Sequence, residues 1–100
     1  MTFRNRKLLD LAHEAPCMLK IEGVCQDGVH PSVPAHSNSL RHGRGVGHKS
    51  ADIFVVASCI ACHSWLDTGG ATRQDKQQRF MEGLERYWLW LWETGKVKVA

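Results

Sequence analysis

Cys59-Ile-Ala-Cys62-His63-Ser-Trp-Leu-Asp67 is the stretch whose reading decides the fold. A Cys-x-x-Cys knuckle bends the backbone so that both sulfurs point at one ion. The second pair of thiols comes from Cys17-Met-Leu-Lys-Ile-Glu-Gly-Val-Cys25, where Gly23 supplies a turn and the spacing predicts a tight hairpin. Four thiolates at ~2.3 Å in a tetrahedron satisfy Zn²⁺ and leave no open position, so a site of Cys17, Cys25, Cys59 and Cys62 is structural. Binding at such sites is worth on the order of 10 kcal/mol, enough to decide whether a small domain folds. The seven-residue gap in the first pair is unusual for zinc. Two disulfides, or four buried free thiols, are the competing readings.

Working outward, Ile53-Phe-Val-Val-Ala57 is apolar and β-branched and predicts a strand leading into the knuckle. His63 to Asp67 reads as the opening of a helix, which Thr68-Gly-Gly-Ala breaks. Thr72, with Asp75 three residues on, caps a final helix running to about Thr94, ended by Gly95. Phe80, Leu84, Tyr87, Trp88 and Leu91 form its apolar stripe. Upstream, Arg6 to Glu14 predicts a short helix with Leu8, Leu11, Ala12 and Ala15 on one face and Pro16 ending it. Prolines 31 and 34 bar helix, and Val33 to His36 is expected to be a short strand. Ser37 to Ala51 is a loop rich in Gly, His, Arg and Lys, long enough to suggest a working role.

Residues at i and i+4 share a helix face, so the imidazole of His63 and the carboxylate of Asp67 can grip one ion. Two protein ligands and several waters suit a hard divalent cation such as Mg²⁺ or Mn²⁺ bound partly through phosphate oxygens. The alternatives for His63 are a helix cap or a further zinc ligand. His36, at the end of a predicted strand, has an ordinary pKa near working pH and could take a proton from water. A lone histidine is more often plain surface; its pairing with His63 raises its standing. Asn38 and Asp52 are candidates to orient it.

The 100 residues support one compact domain with a small core. Thirteen Lys and Arg against ten Asp and Glu give a net charge of +3, carried by the first half. Between Gly28 and Ser50 there is no acid, but there are Arg41, Arg44, Lys49 and four histidines. That local field suits nucleic acid. No apolar run approaches the length of a membrane span. No signal-peptide core follows the basic N-terminus, which points to a reducing cytoplasm, where paired cysteines more often hold metal than form disulfides.

In this order the residues resemble the HNH-type, or ββα-metal, nucleases built on a zinc-stapled treble clef, and more closely the small YbcO-like nucleases of prophages. The resemblance rests on Cys17 with Gly23-Val24-Cys25, on Ala35-His36, and on Gly45, Gly47, Lys49 and Asp52 of the loop. Ala61-Cys62-His63 with Asp67, and a basic-aromatic C-terminal helix, complete it. It implies a single α+β domain over residues 1–100, with a ββα-metal core at about 17–70 and a helix at about 72–94. It also implies divalent-metal-dependent endonuclease cleavage of DNA: His36 as general base, His63 and Asp67 on one catalytic ion, and Arg41, Arg44 and Lys49 on neighbouring phosphates. The chain departs from the family pattern at Ala35, where many HNH nucleases carry a metal ligand. His42 and His48 are candidates to fill that gap.

Another class also fits the composition: a zinc-stapled nucleic-acid-binding module without catalysis, which would need no His36, His63 and Asp67 constellation. A disulfide-bonded effector is a third reading, and it would be insensitive to chelators. Gly43 to Ser50 nearly matches a phosphate-binding P-loop, but His48 replaces a required glycine and no strand precedes it. Trp65, Trp88, Trp90 and Trp92 could stack on bases, although at helical spacing tryptophans more often belong to a core. Leu89 and Trp90 lie off the main stripe, which suggests a buried helix end or homodimerisation through the C-terminal helix.

Overall fold

Two short strands and the three helices of the described residues set the architecture. The computed structural model describes residues 3–45 and 48–99. Helix α1 (Arg6–Leu11) is capped by the Asn5 side chain, which accepts from the Leu8 amide, and tightens into a 3₁₀ turn at Ala12–Glu14. The single helix expected over residues 6–14 is therefore split, with Ala12 and Ala15 as its buried contacts. Strand β1 (Val33–His36) pairs antiparallel with β2 (Val55–Ser58), from Val33 opposite Ser58 to His36 opposite Val55. Helices α2 (Ile60–Thr68) and α3 (Arg73–Glu93) follow.

β1 occupies the expected residues. β2 begins two residues later than expected, because the Phe54 amide bonds back to the Ala51 carbonyl in a turn and Ile53 is left exposed. α2 begins three residues before His63. Its N-cap is Cys59, whose Sγ accepts from the Cys62 amide at 3.4 Å. α3 follows the expected span, with Thr72 Oγ1 accepting from the Asp75 amide and Gly95 in the left-handed region at φ 73°.

The core lies between the sheet, the Cys17–Ile21 segment and the stripe of α3. Phe80, Leu84, Tyr87 and Leu91 are buried there, with Trp88 half-buried at the edge. Gly83 lets α3 approach closely: a Cβ there would sit 3.1 Å from the Met18 carbonyl oxygen and from Leu19 Cδ2. Arg86 reaches across the same contact and donates to the Met18 and Leu19 carbonyls, both at 2.9 Å. Met18 in turn donates to the Ala57 carbonyl at 2.7 Å. The tight hairpin expected at Cys17–Cys25 is replaced by an irregular loop. Lys20 turns through the left-handed region at φ 50°, and the Val24 and Cys25 amides both return to the Ile21 carbonyl.

Candidate functional site

The sheet has two ends of different character. At one, β2 runs into the knuckle and the pinned Cys17–Cys25 loop lies against it. The four sulfurs of Cys17, Cys25, Cys59 and Cys62 all fall within 4.8 Å of one another, in a mostly buried pocket. A tetrahedral zinc site needs sulfurs ~3.8 Å apart, as follows from ~2.3 Å bonds, so the cluster fits such an ion. All four cysteines are free thiols here. Backbone amides aim at the sulfurs: Ile21 N–H at Cys62 Sγ (3.4 Å) and Gln26 N–H at Cys59 Sγ (3.3 Å). Burial alone would raise the Cys59 thiol, but the N–H groups of Gln26 and Cys62 outweigh it and bring it down to about 7. Burial pushes the Cys62 and Cys25 thiols up. The lowered Cys59 thiol, close to three other sulfurs, suits a cluster that could hold a cation.

At the other end, α2 turns back along β1. Helical residues four apart advance ~6 Å and strand residues two apart ~6.6 Å. That match sets His63 and Asp67 alongside Pro34 and His36. The four residues line one cleft of about 310 Å³, together with Asn38, Arg44 and Lys49. His63 Nε2 lies 3.4 Å from Asp67 Oδ2, and both side chains are partly exposed. Asn38 Nδ2 reaches Asp67 Oδ1 at 3.5 Å, and Arg44 donates to Asn38 Oδ1 at 3.0 Å.

His36 is held from behind. Its Nε2 lies 2.9 Å from Asp52 Oδ1, and the Asp52 side chain is 3% exposed. The same carboxylate accepts from the Asn5 amide at 2.7 Å and from Arg4 Nη1 at 3.2 Å. Burial would raise the Asp52 carboxyl; the hydrogen bonds from His36, the Asn5 amide and Arg4 outweigh it and hold it below the ordinary carboxylate value. An ionised carboxylate can only accept, so His36 donates to it through Nε2. Arg4 also donates to the Lys49 carbonyl at 2.9 Å and to the Ser50 carbonyl at 2.5 Å, fixing the loop end that carries Asp52.

The structure thus gathers His36, His63, Asp67, Arg44 and Lys49 in one place and puts Asp52, rather than Asn38, behind His36. Arg41 faces a neighbouring groove instead. His42 does not line the cleft: its Nδ1 meets Ser37 Oγ at 2.6 Å and its ring stacks on Phe54 at 3.9 Å. Burial, together with the Arg41 charge, lowers its pKa. Ala35 is fully buried, so the position before His36 faces the core and not the cleft. Of the loop motif, Gly47 lies outside the described residues. Trp90 stacks near Tyr87 at 6.2 Å, while Leu89 and Trp92 are exposed. The sequence reading missed Arg4 and Asn5, whose contacts span more than 40 residues and leave no local signal.

Fold and site together define a small α+β domain with a four-thiol cluster at one end of its sheet and a histidine–carboxylate cleft at the other. No helix among the described residues is long and apolar enough to cross a membrane. A family model described as putative nuclease YbcO matches residues 6–95, and the chain belongs to that family. It is also similar in structure to a putative bacteriophage protein from Escherichia coli K-12, with a TM-score of 0.65 and 24% identity over 87% of this chain and 98% of that one. That likeness shows the fold. A search of curated proteins found no significant match.

Proposed function

We propose that the protein is a metal-dependent endonuclease of the HNH, ββα-metal type, hydrolysing phosphodiester bonds in DNA on a zinc-stapled treble clef. The observation that carries this reading is the convergence of His36, His63 and Asp67 with two cations in one cleft, His36 being oriented by a buried carboxylate. A non-catalytic binding module has no use for that orientation.

In this reading His36 Nδ1 accepts a proton from water as the water oxygen attacks phosphorus. The P–O3′ bond breaks, and the leaving oxygen is protonated from solvent. Asp52 stabilises the imidazolium so formed, as an orienting carboxylate does in hydrolases. His63 and Asp67 would hold one Mg²⁺ or Mn²⁺, which supplies charge neutralisation at the scissile phosphate and the leaving oxygen. Arg44 and Lys49 hold flanking phosphates in register. The four cysteines would hold a structural Zn²⁺, which the closeness of their sulfurs supports.

The test is nicking of supercoiled plasmid with and without added Mg²⁺ or Mn²⁺. His36→Ala should lower the rate about 10²–10⁴-fold, the usual contribution of a positioned base, while the variant keeps a cooperative melting transition, lowered only by the loss of the bond to Asp52. Undiminished nicking by a pure His36→Ala preparation would remove His36 from the mechanism.

A further inference from the structure

The cleft opens onto a second, larger groove of about 920 Å³, lying between the Leu40–His42 turn and the first turns of α3. Asn38, Arg44 and Asp67 line both, so the two are continuous. Arg41, Arg73 and Lys76 also face this groove, and none of them forms an ion pair among the described residues. Asp67, shared with the cleft, is the one carboxylate on its wall among the described residues. The N-terminus of α3 adds a positive dipole end to the same side. Charge of one sign along a channel leading away from the cleft fits a polyanion that passes through both.

The apolar residues narrow the choice. Leu40 is 77% exposed and Met81 41%, and both face the groove amid its cations. A duplex keeps its bases stacked inside and would offer these side chains little beyond sugar and phosphate. An unpaired strand presents base faces as well. Size agrees: clefts of ~300–1,000 Å³ enclose one drug-sized molecule, which is room for a couple of nucleotides of one strand and not for a duplex.

Resting on the nuclease reading of the cleft, we infer that this groove takes an unpaired DNA strand continuing from the scissile phosphate. Its phosphates lie on Arg41, Arg73 and Lys76 and its bases against Leu40 and Met81. The substrate is then DNA with a single-stranded arm beside the cut, such as a flap or branch.

The test is fluorescence anisotropy with the full chain and no added divalent ion. Splayed-arm DNA is compared with a fully paired duplex of equal length. For Arg73→Ala/Lys76→Ala, the slope of log affinity against log salt on splayed-arm DNA should shrink by about 1.4, or 0.7 per lost single-strand phosphate contact, with the duplex slope unchanged. Leu40→Ser should weaken splayed-arm binding without altering its slope, since it removes an apolar contact and no charge. Equal losses on both DNAs, or no loss on either, would overturn the inference. Binding is read without cleavage. An inactive cleft would therefore show itself in the plasmid assay with His36→Ala, and a misplaced strand in the anisotropy, so the two failures are separable.

Discussion

The thiol cluster and the histidine cleft sit at opposite ends of the same two strands, yet they are built on opposite principles. The thiol end is mostly buried and over-determined. Met18 is tied to β2, Arg86 clamps the Met18 and Leu19 carbonyls, and amides point at the sulfurs. The cleft is open, its His63–Asp67 pair is partly exposed, and its cations find few partners. Rigidity is concentrated where an ion would replace a core, and exposure where a substrate must enter. Behind the cleft, Asp52 shares the character of the thiol end, buried and hydrogen-bonded to His36, Asn5 and Arg4.

Breaking the thiol end should have the largest effect. Cys59→Ser removes one of the four clustered sulfurs while leaving an oxygen that can still cap α2. A structural metal held there would contribute on the order of 10 kcal/mol, comparable to the whole stability of a small domain. The variant is expected to purify without stoichiometric zinc and to lack a cooperative melting transition, as followed by circular dichroism and elemental analysis. A normal transition in a zinc-free variant would make the cluster a set of buried thiols and no more.

What the sequence made legible follows the same division. α3 could be read almost from end to end, because Thr72, a 3.6-residue stripe and Gly95 are local signals that packing does not overrule. The start of α2 was placed late because the cap is a cysteine, and sulfur is not among the usual capping atoms. Ile53 and Phe54 look like strand, yet a turn to Ala51 takes the first bond, and the Ile53 carbonyl accepts instead from Trp88 Nε1 at 3.2 Å. The Cys17–Cys25 hairpin failed because tertiary bonds to Ala57 and Arg86 hold that segment and a ladder of its own does not. In the cleft, His36, His63 and Asp67 were legible from their types and spacing. The Arg4 and Asn5 clamp was not, since nothing in either residue points to a carboxylate 48 or 47 positions away.

Asp52 is where the two principles meet, and altering it should have an intermediate effect. Asp52→Asn keeps the shape but turns one of two accepting oxygens into a donor facing donors, at a cost of about 1–3 kcal/mol. Because the folded carboxyl sits below its unfolded value, wild-type Asp52 stabilises the fold above the unfolded pKa of ~3.9 and loses that contribution as pH falls through the folded value. The variant should therefore have a lower melting temperature at pH 7, a difference that narrows on acidification below about pH 4. Its nicking rate at saturating DNA should drop with little change in KM, because DNA does not touch the buried carboxylate. A melting difference constant from pH 7 to pH 3 would assign the stabilisation to shape and not to charge.

The smallest expected effect belongs to the exposed cations of the cleft, and it sharpens the contrast most. Lys49 is exposed and forms no ion pair among the described residues, so Lys49→Ala should change stability by no more than about 0.5 kcal/mol. On duplex DNA it should lower the salt slope by about 0.9, the release of one phosphate's counterions. Arg44→Ala removes the same charge but also the bond to Asn38 Oδ1, which steadies the Asn38 contact to Asp67. It should match Lys49→Ala in slope and exceed it in lost cleavage. If the two variants lose cleavage equally, the Arg44–Asn38–Asp67 chain is incidental, and the cleft holds the Asp67 carboxylate without help from the loop.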